Sequence, residues 1–165
     1  MEKWATFATV AGGAAAGLTG LLFVAVSIRI DVIAKSQELR NRAAQTLALF
    51  VIVLLIAILL SIPDQSLRIL GFELVALAVV AGSGLMVLDR RARVPPDSRD
   101  ATAHAIALIL DAVAPGAITS ILVVFAGLLL VFELQAGLDV LVLPVLVALA
   151  GGVTSAWLLL TKIPE

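Results

Sequence analysis

Apolar residues dominate this chain in long, uninterrupted runs, and polar residues gather in a few short clusters between them. The first run, Ala5 to Asp31, reads ATFATVAGGAAAGLTGLLFVAVSIRID. A helix needs about 20 apolar residues to cross about 30 Å of hydrocarbon, and several runs reach that length. A membrane β-strand would alternate apolar and polar positions, which these runs do not. The pattern predicts an all-α integral membrane protein, a bundle of about five transmembrane helices forming a single domain over 1–165. The spans fall at about 5–28, 43–62, 67–88, 105–132 and 140–160. The first is the expected organising helix, with the others packed around it.

Small residues in that first span have a helical order. Ala8, Gly12, Ala16 and Gly20 recur every fourth position, and Gly13 and Gly17 form a second pair on the adjoining strip. Small side chains at this spacing, a glycine-zipper arrangement, let two helix backbones approach closely in lipid. They serve either self-association or pore lining, or packing against a neighbouring span of the same chain.

The polar clusters predict the connections. Residues 29–42 and 89–104 form two loops, the second containing DRRARVPPDSRD. Asp31 with Lys35, and Glu38 with Arg42, are acid-first pairs at i, i+4, so the first helix should run on for a turn or two before turning back near Ser36 to Asn41. Pro63-Asp64 ends the second span and makes a hairpin with the third. Pro115-Gly116 predicts a kink in the fourth, and Glu133 to Asp139 links it to the fifth. The opening run continues well past its Gly/Ala cluster, so it reads as a retained span, not a cleaved leader.

Charge sets the expected orientation. Arg29, Lys35, Arg40, Arg42, Arg90, Arg91, Arg93, Arg99 and Lys162 fall on one side of a five-span arrangement, and only Lys3 and Arg68 on the other. The positive-inside rule then puts the N-terminus outside and the C-terminus in the cytoplasm of a plasma membrane. Trp4 and Trp157 suit interfacial anchors.

Composition agrees: 62% of the 165 residues are hydrophobic, 14% are charged, and mean hydropathy is +1.17. The absence of cysteine excludes disulfides and thiolate chemistry, and a single histidine, His104, excludes a multi-histidine metal site within one chain. No phosphate-binding loop, metalloprotease or nucleophile-elbow motif is present, and no aromatic-basic surface for nucleic acid. The expectation is a protein without enzyme activity, cofactor or metal, whose surroundings are the lipid bilayer and either further copies of itself or another membrane protein.

Intramembrane charges are the remaining candidates. Glu73, two turns into the third span, is either a proton or cation site or an interfacial residue that snorkels or pairs with Arg68. Asp111 beside Pro115 is either an ion site at a broken helix or interfacial. Arg29 and Asp31 form a cytoplasmic mouth or an ordinary anchor. The side opposite the basic loops is acidic, which would attract cations to an outer vestibule if a pore forms.

The segments WATFATVAGGAAAGLTGLLFVAVSIRID, LRNRAAQTLALF and GFELVALAVV resemble a group of small multi-span bacterial proteins, especially actinobacterial ones, described as modulators of the FtsH membrane protease. The resemblance extends over most of the chain. It implies a bacterial plasma membrane protein with a non-enzymatic role and assigns no catalytic residues. The leading expectation is an accessory or self-assembling membrane subunit. An oligomeric ion channel is the alternative, and a small ion-coupled transporter the third.

Overall fold

The computed structural model describes residues 2–28, 30–92 and 115–161. Every regular element among them is a helix: α1 (Glu2–Ile28), α2 (Ile30–Lys35), α3 (Gln37–Leu60), α4 (Leu67–Ala92), α5 (Pro115–Val131) and α6 (Ala136–Thr161). Four of these, α1, α3, α4 and α6, are long and apolar enough to cross a membrane, and α5 is a shorter apolar helix. At 17 residues, α5 is about 25 Å long. The first part of the expected fourth span, 105–114, lies outside the described residues, and so does the approach to the expected kink at Pro115.

The loop expected over 29–42 is largely helical. α2 follows the first span, and the single residue Ser36 separates it from α3. Ser36 is extended and caps α3, its Oγ accepting from the Leu39 N–H at 3.4 Å. Gln37 then donates to Asn41 Oδ1 at 3.2 Å, one turn on. With its first four N–H groups partly satisfied in this way, α3 starts six residues before the apolar run does. Likewise α6 begins at Ala136 and not Val140, which puts Asp139 in its first turn, where the helix dipole favours an acid.

Consecutive long helices run antiparallel. Gly12 of α1 meets Ala57 of α3, Gly71 of α4 meets Gly127 and Val131 of α5, and Gly152 of α6 meets Phe50 of α3. One end of the bundle therefore carries the α3–α4 and α5–α6 turns, with Asp64, Arg68, Glu133 and Asp139. This is the acidic end. The opposite, basic end carries Lys35, Arg40 and Arg42 with the last turn of α4.

The centre of the bundle is α3, which touches α1, α4 and α6 along most of its length. Its Leu49, Phe50, Ile52, Val53, Ile56 and Ala57 are all buried. This corrects the expectation that the first span organises the rest. α1 packs chiefly on α3, and only 17% of its span is buried, against 39% in α3. The reason is steric: a helix of alanine and glycine offers little side-chain surface for more than one neighbour, whereas the bulky apolar residues of α3 fill space on several faces.

α4 and α5 approach one another backbone to backbone. A Cβ at Gly71 would lie 2.6 Å from the Val131 nitrogen and 2.7 Å from the Gly127 oxygen, and one at Gly127 would lie 3.0 Å from the Gly71 oxygen. Two glycines face each other across the crossing, so backbone touches backbone. α5 ends in a Schellman motif. Leu134 N–H donates to the Leu129 carbonyl at 3.0 Å and Glu133 N–H to the Leu130 carbonyl at 2.9 Å, with Glu133 left-handed at φ 62°.

Candidate functional site

The small residues of α1 do not act as one face. Ala8 is buried and a Cβ at Gly12 would lie 3.0 Å from the Ala57 methyl, so both belong to the contact with α3. Gly13, Gly17 and Gly20 have nothing within 4 Å of a Cβ built on them, and Ala16 is exposed. The division follows from helix geometry. A row of every fourth residue turns by about 40° per step, so a row that starts against α3 at Ala8 has turned well away from it by Ala16 and Gly20. Ala11 and Ala15, which the four-residue pattern passes over, complete the internal contact and are buried. The result is an outward furrow of Thr6, Thr9, Gly13, Ala16, Gly17 and Gly20, all exposed on one flank of α1. Beside it, between α1 and α3 near the acidic end, an open apolar cleft of about 670 Å³ is lined by Thr9, Gly13, Leu54, Ala57 and Ile58 among others.

The second candidate lies at the acidic end of α4. Glu73 is half-buried, and its Oε2 accepts from the side-chain nitrogen of Gln65, which folds back from the α3–α4 turn. The pairing with Arg68 considered from the sequence is not formed. Arg68 instead approaches Glu133 across the gap to the α5–α6 turn, Nε to Oε1 at 3.8 Å, with both side chains largely exposed. The reason is angular, since Arg68 and Glu73 are five positions apart and point to different sides of α4. Gln65 had no signal in the sequence beyond its place after a proline turn. Its own Oε1 is buried without a donor.

Asp31 is exposed in the first turn of α2. Arg29, Asp111 and His104 lie outside the described residues. Among the described residues no group of three or more His, Asp or Glu side chains could hold a metal. Three polar side chains are buried inside the bundle: Asn41, Thr46 and Thr119. Thr46 donates to the Arg42 carbonyl at 2.9 Å, as hydroxyls in helices do. Among the described residues the Thr119 hydroxyl and the Asn41 side-chain nitrogen have no partner.

Chemically, this arrangement can pack and bind. Among the described residues it brings no nucleophile next to a base, and its polar groups are dispersed. Comparison with protein-family models, with curated proteins and with solved structures finds no match to this chain.

Proposed function

We propose that this protein is a non-enzymatic, multi-pass membrane subunit that associates with a further membrane helix through the outward furrow of α1. The observation that carries the reading is the open space over Gly13, Gly17 and Gly20. In lipid the association of helices rests on close backbone approach, and a surface row of glycine and alanine permits it. Within the protein such small residues are used where backbones touch, as at Gly71 and Gly127. On α1 an equivalent row is left without a neighbour among the described residues. The resemblance to proteins described as modulators of a membrane protease accords with an accessory role.

The arrangement in the membrane is part of the proposal. α5 is taken as the membrane-embedded part of the fourth of five spans, held between α4 and α6. The basic end then faces the cytoplasm and the N-terminus lies outside, in the plasma membrane of a bacterium.

The chain lacks cysteine, so single cysteines report cleanly. Gly13→Cys and Gly17→Cys, crosslinked in native membranes, should give adducts, and Ala15→Cys, buried against α3, should give none. A ladder of self-adducts identifies a homo-oligomer, and one adduct of foreign mass identifies an accessory subunit of another protein. The absence of adducts at both Gly13 and Gly17 would overturn the proposal.

A further inference from the structure

A second groove lies between α3 and α4, away from α1. It has a volume of about 440 Å³ and is lined on one side by Ala48, Val51 and Leu55 and on the other by Leu77, Ala81 and Gly84. Its depth comes from the small residues. Gly84 has nothing within 4 Å of a Cβ position, and Ala48 and Ala81 keep the walls low. Its walls are apolar throughout, and on α4 it extends from Leu77 to Leu85, about 12 Å along the helix.

Glu73 stands in line with this groove. Glu73, Leu77, Val80 and Gly84 follow the i, i+4, i+7, i+11 spacing, so they share one stripe of α4. Glu73 lies one turn beyond the Leu77 end of the groove, toward the acidic end. It lies about 9 Å along α4 from Leu67, a depth at which headgroup gives way to hydrocarbon. One carboxylate oxygen is engaged by Gln65, and among the described residues no cation pairs with Glu73, since Arg68 turns to Glu133. A carboxylate at this depth is stabilised by a cationic partner, and N–H donors at its second oxygen stabilise it further.

We propose that the α3–α4 groove is a binding site for a phospholipid whose headgroup ends in a primary ammonium, with one acyl chain along the groove and the ammonium on Glu73. The choice of occupant rests on charge and donor complementarity. An apolar channel that ends on a carboxylate fits an amphiphile with an apolar tail and a cationic head. An anionic headgroup is repelled there. A quaternary choline group brings the charge but no N–H donor, so it makes the weaker contact.

The test is titration of the purified full chain in mild detergent, read by native mass spectrometry. The three probes share acyl chains and carry ethanolamine, choline or glycerol headgroups. The ethanolamine lipid should bind about tenfold tighter than the choline lipid, the factor a charge-assisted hydrogen bond supplies. Glu73→Gln should bring the two within about twofold of each other, and Glu73→Asp should keep part of the preference. Gly84→Leu extends a side chain into open groove, so it should weaken all three lipids together and leave the thermal midpoint unchanged. Equal binding of ethanolamine and choline lipids by the unmodified protein would overturn the proposal. So would a preference that survives Glu73→Gln, or lipid binding untouched by Gly84→Leu.

Discussion

Replacing Gly71 by alanine puts a methyl group into the backbone of α5. The added carbon would sit 2.6 Å from the Val131 nitrogen and 2.7 Å from the Gly127 oxygen, and ordinary contact begins near 3.4 Å. Neither obstructing atom can rotate aside, because both belong to a helix backbone. The two helices must therefore part by about 0.8 Å at the crossing. A gap of about 0.5–1 Å forfeits a quarter to a half of each dispersion well it opens. Overpacking of this kind costs about 1–3 kcal/mol. Alanine recovers about 1 kcal/mol of that through its greater helix propensity, leaving a net loss of up to about 2 kcal/mol. Gly84→Ala is the matched control, since it carries the same propensity gain and meets nothing. Reversible unfolding in mixed micelles, followed by far-UV circular dichroism, should show Gly71→Ala destabilised and Gly84→Ala neutral or slightly stabilised. Equal midpoints for the two variants would refute the backbone-contact argument.

Three further outcomes are expected. Gly152→Ala meets the Phe50 ring, so it should destabilise by about 1–3 kcal/mol, and Phe50→Leu in the same chain should recover part of that loss in a double-mutant cycle. Glu133→Gly should unfold at a higher midpoint than Glu133→Ala by about 1 kcal/mol, because both lose the exposed contact with Arg68 but only glycine relieves the left-handed strain. Thr119→Val removes a buried hydroxyl that has no partner while keeping its shape, so it should stabilise by about 1 kcal/mol in the same unfolding assay, and destabilisation would mean that the hydroxyl is bonded in solution.

The helices were legible where the apolar runs were long. α1, α3, α4 and α6 follow from length alone, and the turn after α3 from Pro63-Asp64. Helix ends were less legible, because the polar stretches at Gln37–Arg42 and Asp89–Ala92 continue helices past the apolar runs. The arrangement of the helices was not legible. Gly71 and Gly127 have no glycine three or four positions away in their own helices and make a pair only across the crossing, so no spacing within one segment announces them. The row Ala8, Gly12, Ala16, Gly20 did announce itself, yet its steps drift around the helix and divide between two environments. Glu133 takes a position that usually falls to glycine, which hid the Schellman ending of α5. Of the candidate residues, Glu73 was legible as a charge at membrane depth. Its engagement by Gln65 depends on how the turn folds back, which no pattern along the chain encodes.

The edge position of α1 also bears on the order of biogenesis. α1 leaves the ribosome before α3, yet the surface it packs against belongs to α3 and exists only once that later hydrophobic segment has been inserted. Until then it is a lone helix with small residues on two flanks. The remaining long helices pack on one another through α3, α4, α5 and α6, and α1 adds little to the contacts that close that set. Docking of α1 is accordingly a separate event from closure of the bundle. Because the furrow faces away from α3, it is open to other insertion products before that docking step and after it.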